Sequence, residues 1–278
     1  MDKHDLIQAV GEYVDSAAEN YVCAETAHAG KASMVKMYER PIFAFGAADD
    51  AYFKLLKKDS VIGEHFMLPA DWLPGARTVI AFFMPLSETV CSTNREEQVW
   101  PSAEWLHARL EGQQFINAVC RYVQSVLEQS GYPSLVPGLD PRFWSNTDKP
   151  DKPGHFTSNW SERHVAYICG LGTFGLSKGL ITPKGTAGRL GSVITTMYLQ
   201  PDNRDYDIFD QYCTRCGKCV QRCPVKAISK EEGKDHHKCS RFIDRTAEKF
   251  NPRYGCGKCQ VGVPCEFELP EADAVDGA

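Results

Sequence analysis

Cys213-Thr-Arg-Cys216-Gly-Lys-Cys219-Val-Gln-Arg-Cys223-Pro224 sets four thiols at the spacing C-x2-C-x2-C-x3-C, closed by a proline. Three thiolates two residues apart can wrap one [4Fe-4S] cubane corner by corner, whereas the fourth cannot reach that cubane and, where two are present, ligates the other. Proline after the fourth thiol stops the loop and predicts a short helix over residues 225–230. Downstream stand Cys239 alone, the pair Cys256-Gly-Lys-Cys259, and Cys265 behind Pro264. The exchange rule assigns Cys213, Cys216, Cys219 and Cys265 to cluster 1 and Cys223, Cys239, Cys256 and Cys259 to cluster 2, so that all eight thiolates are used. A pair of tetrahedral zinc sites is the alternative, since C-x2-C pairs also serve zinc, but the continuous run is not the usual zinc spacing.

The other four of the twelve cysteines, Cys23, Cys91, Cys120 and Cys169, are scattered over the preceding two hundred positions. The N-terminus is acidic and lacks the basic start and small-residue cleavage site of an export signal. In a chain read as cytoplasmic, thiols stay reduced, which favours metal ligation over disulfides. The longest apolar stretch, around residues 78–85, is far short of the roughly 20 residues a spanning helix needs, so no membrane is expected. With 36 acidic and 31 basic side chains the net charge is -5, which argues against a protein that lives on nucleic-acid phosphates. Between Tyr206 and Pro270 the balance reverses, with twelve Lys/Arg against nine Asp/Glu. Lys218, Arg222 and Lys258 either offset the charge of the clusters or are ordinary solvated side chains.

A second segment with chemical potential is Gly170-Leu-Gly172-Thr-Phe-Gly175. It matches G-x-G-x-x-G, but the strand before it, the helix after it and the acidic residue about 20 positions on are all missing, so it is not a dinucleotide site. No Asp or Glu occurs between Glu162 and Asp202, while Arg163, Lys178, Lys184 and Arg189 do. Basic side chains beside amides freed by glycine suit an anionic or amide-rich ligand, and Gly170, Leu171, Gly172, Gly175 and Lys178 are the candidate cofactor contacts; a tight turn with solvated basic neighbours is the plain alternative. Candidate proton donors nearby are Asp151, His155, His164 and Tyr167. Phe143, Trp144 and Trp160 either line an apolar pocket or pin a loop, and Cys169 reads as a packed small hydrophobe.

The elements that must position these residues begin with an amphipathic helix over residues 6–21. A short strand at 42–46, a short helix over 51–58 and a β-branched, aromatic core strand after the turn at 73–77, ending at Pro85, follow. The longest helical stripe covers residues 102–129, stopped by Gly131. Residues 136–159 read as a long functional loop. Beyond it come a helix ending at Cys169 and strands at 179–182 and 192–198. Alternating helices and strands predict an α/β or α+β layer fold. A composition shift near residues 201–205 divides the chain into a cofactor- or substrate-binding α/β domain (1–205), a two-[4Fe-4S] ferredoxin-like domain (206–270) and a disordered acidic tail (271–278).

Glu162-Arg-His-Val-Ala-Tyr-Ile-Cys-Gly170-Leu-Gly172-Thr-Phe-Gly175, then Leu180-Ile-Thr-Pro-Lys-Gly185, then the C-x2-C-x2-C-x3-C-P run together resemble the epoxyqueuosine reductase and reductive dehalogenase superfamily. The resemblance covers roughly residues 159–265 and, before that, only the general layout. It implies a nitroreductase-like α/β domain that holds a corrinoid, cobalamin with its base off, and two clusters that supply it with electrons from a soluble donor of ferredoxin or flavodoxin type. The place of the family's general-acid Asp, about six residues before Glu162, falls at Phe156, and the last motif is C-x2-C-x5-C rather than C-x2-C-x3-C-P. These departures imply a short relative acting on a different small molecule rather than epoxyqueuosine reductase itself. Two other readings are an electron relay that docks on a partner without chemistry of its own, and a flavin-containing reductase.

Overall fold

The computed structural model describes residues 1–27, 32–146 and 156–271. Helix α1 (Lys3–Ser16) is capped at Asp2 and Asp5 and buries Leu6, Val10 and Val14. Strand β1 (Ile42–Ala47), the short helices α2 (Ala51–Leu55) and α3 (Pro69–Trp72), and strand β2 (Thr78–Pro85) follow. Helix α4 (Glu88–Glu96) leads to the long α5 (Ala103–Gln129), started by the Ser102 hydroxyl, which accepts from the Trp105 amide at 3.2 Å. Then come β3 (Ser134–Leu135), β4 (Ser145–Asn146), β5 (Thr157–Ser158), α6 (Glu162–Cys169), β6 (Thr173–Phe174), β7 (Leu180–Ile181) and β8 (Gly188–Thr195). The cysteine-rich part carries α7 (Lys218–Arg222), the hairpin β9 (Ile228–Ser229) with β10 (Gly233–Lys234), and α8 (His236–Phe250).

The main sheet has four strands in the order β1-β2-β8-β3, every neighbouring pair antiparallel. All of β2 is buried because both faces are covered. Its side chains alternate, so Ile80, Phe82 and Met84 join the core shared with α1, α4 and α5, while Val79, Ala81 and Phe83 join the core under α6 with Phe66, Trp72 and Trp160. The architecture is thus a mixed α and β layer structure around an antiparallel sheet. Among the described residues no helix is long and apolar enough to cross a membrane.

Several sequence expectations shift. The first helix stops at Ser16, where Ala17 turns extended, and a 3-10 turn covers Ala18–Asn20. The strand expected at 192–198 is β8, which starts four residues earlier at Gly188. Gly188 and Gly191 conceal that start from a propensity reading, yet they are what permits it: a Cβ at Gly188 would lie 2.3 Å from the Phe83 ring and 2.5 Å from the Met84 carbonyl, and one at Gly191 would lie 2.5 Å from the Phe82 ring. The helix expected after Pro224 is absent; α7 lies before that proline, and a turn and β9 follow it. The loop over 136–159 contains β3's successor turn, β4 and β5, while residues 147–155, and with them Asp151 and His155, lie outside the described residues, as do positions 272–278 of the acidic tail.

Gly188→Ala should cost about 1–3 kcal/mol, the usual range for forcing a methyl into a packed site. Urea denaturation of the variant beside the parent chain measures it, and an unchanged midpoint would mean the Phe83 ring moves aside freely.

Candidate iron-sulfur centre and adjoining cavities

Two left-handed residues, Arg215 at φ 54 and Gly217 at φ 81, curl the first cysteine loop. Cys219 then sits in the first turn of α7 and Cys223 at its C-terminal cap, so the short helix turns the fourth thiol away from the first three. The loop is pinned to the glycine segment: the Tyr212 amide donates to the Thr173 hydroxyl at 2.9 Å, the Phe174 amide donates to the Phe209 carbonyl at 2.7 Å, and the Tyr206 hydroxyl donates to the Tyr167 carbonyl. Cys265 returns to the same place because the Thr186 amide donates to its carbonyl at 2.8 Å and Glu266 takes both the Gly262 amide at 2.7 Å and the Arg95 guanidinium at 2.8 Å.

The eight cysteines fall into two groups of four. Cys213, Cys216, Cys219 and Cys265 border one cavity, together with Gly175 and Ile181. Cys223, Cys239, Cys256 and Cys259 border another, of about 490 Å³. Among the described residues, no three His, Cys, Asp or Glu side chains converge on a point as one metal ion requires. Each group borders a space, and the C-x2-C-x2-C-x3-C spacing of the first run suits a cubane. Burial, and then the neighbouring sulfurs, push Cys219 and Cys265 up to about 12, and burial pushes Cys256 up to about 12. Cys219 feels Cys259 of the other group as well as Cys213 and Cys216, so the two groups adjoin. The Ala227 amide donates to the Cys223 sulfur at 3.1 Å.

The second C-x2-C loop is anchored to the first part of the chain. A Cβ at Gly257, φ 68, would fall 1.8 Å from the Trp105 ring. Asn94, fully buried in α4, donates to the Cys256 carbonyl at 3.1 Å, and its carbonyl and side-chain oxygens accept from the Lys258 ammonium at 2.7 and 2.8 Å. Lys258 is 0% exposed, which decides against its being an ordinary solvated side chain; burial pushes it down to about 8 against the pull of Cys256.

A larger cavity of about 1090 Å³ adjoins, sharing Ser158, Ser161 and Arg163 with the 490 Å³ one. Gly175 and Lys178 line it; Gly170, Leu171 and Gly172 do not. Gly170 is the left-handed cap of α6, Leu171 is core, and a Cβ at Gly172 would lie 2.1 Å from the Ile181 carbonyl, so these three serve the turn and its packing against β7. His164 and Tyr167 line the cavity from α6. Burial, aided by Arg163, pushes His164 down to about 4, and its Nδ1 is 2.7 Å from the Ser161 hydroxyl. Burial raises Tyr167 as well. Phe156 also lines this space and stacks on His236 at 5.4 Å. Trp160 is buried core, whereas Trp144 is exposed against His65. Cys169 is packed as expected, 3.5 Å from the Val79 carbonyl; Cys91 and Cys120 are buried too, and Cys23 is exposed beside Glu25.

The sequence reading did not single out Glu162 as a chemical group. It starts α6, lines the 490 Å³ cavity, and its Oε2 has no hydrogen-bond partner among the described residues. Burial pushes its carboxyl up to about 7, against hydrogen bonds with Ser192 and Trp160 that favour the anion.

The 4Fe-4S binding domain family matches residues 206–229. Epoxyqueuosine reductase of Bacillus anthracis is 34% identical over 118 residues, covering 39% of this chain and 30% of that protein; that of Staphylococcus aureus is 32% identical over 114 residues. Over this stretch the chain is similar to the epoxyqueuosine reductases. Among solved structures, an epoxyqueuosine reductase with a tRNA stem loop matches at a TM-score of 0.55 and 17% identity, over 98% of this chain and 70% of that one. A catabolic reductive dehalogenase matches at 0.53 and 14%, over 98% of this chain and 37% of that one. These structural matches show the fold. The aligned stretch spans about a third of the length of the curated epoxyqueuosine reductases it matches.

A carboxyl raised in the folded state is more protonated there than in the unfolded chain, so stability is greatest at low pH and falls as pH rises from the ordinary carboxyl value near 4.5 to about 7. Glu162→Gln should flatten that fall, read as the thermal midpoint across this pH range; an identical slope in both proteins would show that the carboxyl is solvated.

Proposed function

We propose that this chain is an iron-sulfur oxidoreductase in which residues 206–270 form a ferredoxin-like unit with two [4Fe-4S] clusters beside a nitroreductase-like layer, residues 1–205, whose cavities take a corrinoid and a substrate. The grouping of Cys213, Cys216, Cys219 and Cys265 around one space and Cys223, Cys239, Cys256 and Cys259 around another carries the reading. Cubanes in these places supply one-electron reservoirs whose potentials follow charge and hydrogen bonding.

The large cavity suits a broad, flat ligand with polar arms. Tyr52, Phe156, Tyr167, Phe174 and Phe209 give it aromatic walls, and Arg163, Lys178 and Arg215 give it cations for amide or phosphate arms. A corrinoid supplies a cobalt centre for reductive removal of a leaving group. The protein's own part is to exclude water with these rings and to manage the proton. His164 is neutral at neutral pH, and Tyr167 keeps its proton. Glu162, in the wall of the adjoining 490 Å³ cavity, is half protonated near pH 7 and so matched to proton transfer at that pH. With Phe156 where an acid is expected, the substrate differs from that of the curated reductases. Exposed Ile208 and Phe209, beside the first cysteine loop, offer apolar surface to a soluble electron-donor protein. A chain whose cysteines serve as metal ligands suits the reducing cytoplasm.

A net charge of -5 does not exclude nucleic acid, because charge acts locally. Lys238, Arg241, Arg245 and Lys249 are all exposed on α8, and a protein of the same fold was solved with a tRNA stem loop. An RNA hairpin is therefore the second substrate reading. Fluorescence anisotropy should then show binding that weakens with salt and with Arg241→Glu plus Arg245→Glu; salt-independent or unchanged binding removes this reading.

Oxygen-free purification with iron, sulfide and cobalt assays tests the main reading. About eight irons per chain are expected, with about half lost in Cys216→Ser and the other half in Cys259→Ser, and added cobalamin should bind. Zinc in place of iron would overturn the cluster reading, and a chain with full iron but no affinity for cobalamin would overturn the corrinoid.

A further inference from the structure

The two cysteine groups differ in the charge around them. Among the described residues, the walls of the first cavity are Cys213, Cys216, Cys219 and Cys265 with glycine, proline, small hydroxyl and aliphatic side chains, and no charged one. The walls of the second hold four cations, Arg163, Arg189, Lys234 and Lys258, against one carboxyl, Glu162, beside Cys223, Cys239, Cys256 and Cys259. The cations come from four separate elements, α6, β8, β10 and the loop after α8, so no local sequence periodicity gathers them.

Lys258 is the sharpest case. Its ammonium is hydrogen-bonded by two neutral oxygens of Asn94, while the Glu97 carboxylate and the Arg222 guanidinium act on it with opposite signs from farther away. A buried ammonium with only neutral partners is costly unless a negative charge lies near. Asn94 also fixes the Cys256 carbonyl, so the same side chain ties the cation to the cysteine loop. Lys234, on β10, stands in the same cavity wall as Cys239 and Cys259. Arg163, held by its donation to the Lys178 carbonyl at 2.6 Å, lies toward Cys259.

We propose that Lys258 and Lys234, with Arg163, are the built-in counter-charges of the Cys223, Cys239, Cys256 and Cys259 group, and that they make the cluster held there the more easily reduced of the two. This rests on the two-cluster reading above. The physics is general: a reduced cluster carries one more negative charge, fixed cations nearby stabilise it, and in a water-poor site they do so strongly. The uncharged walls of the first cavity give its cluster no such help. Lys258 and Lys234 are positioning residues here, acting on a potential and on no reacting atom.

Potentiometric titration with dithionite as the one-electron reductant, followed by electron paramagnetic resonance on the iron-loaded full chain, tests this. Iron content is assayed in the same samples. Two separate midpoints are expected, and the signal lost in Cys216→Ser should be the one with the more negative midpoint. Lys258→Met should move only the less negative midpoint, in the negative direction. Lys234→Met, at a less buried position, should do the same if Lys258→Met loads poorly, and Lys234→Arg should leave it in place. Full iron loading with coincident midpoints, or equal displacement of both by Lys234→Met, overturns the inference while leaving the two-cluster reading intact. A chain with about half the iron fails that reading first.

Discussion

Burial of clustered thiols is the constraint around which residues 206–270 are organised. Cysteine thiols brought together away from water resist ionisation, as the values near 12 for Cys219, Cys256 and Cys265 express, and each sulfur raises the next. A metal that binds them would displace their protons to water, so metal binding and the ordering of these loops would be one equilibrium. The backbone is spent on this arrangement. Arg215, Gly217, Gly255, Gly257 and Gly262 all take positive φ, and short α7 does the rest by separating Cys219 from Cys223.

The cysteine region is not an appendage. Its second loop rests on Trp105 and Asn94, the Arg253 guanidinium meets Glu111 of α5 at 2.5 Å, and the stretch around Cys265 continues the hydrogen bonding of the strand entry at Thr186 and Ala187. Helices α4 and α5 therefore serve two masters, covering one face of the sheet and holding the second cysteine group. The other face, through α6, carries the cavity walls. A change in the core around Phe82 or Phe115 would in this way reach the cysteines without touching them.

Features carried by local spacing were legible in the sequence. The iron-sulfur character of the first cysteine run could be read because ligand spacing is itself the chemistry, and α5 could be read because its apolar stripe runs for 27 residues. What failed needed tertiary knowledge. β8 hid behind two glycines that exist to admit the rings of Phe82 and Phe83. α8 was overlooked because its face toward the protein buries only Phe242 and Thr246, too few positions to announce a helix, although Asp235 was there as its cap. Gly170, Leu171 and Gly172 looked like ligand contacts and are packing, since only the fold shows that the Ile181 backbone passes within reach. Lys258 and Glu162 are ordinary letters in the sequence; their burial makes them chemical.

Anomalous diffraction at the iron edge from crystals grown without oxygen would test the central claim most directly. The account predicts two separate iron peaks, one among Cys213, Cys216, Cys219 and Cys265 and one among Cys223, Cys239, Cys256 and Cys259. A single peak, or signal at the zinc edge with none at the iron edge, would contradict it.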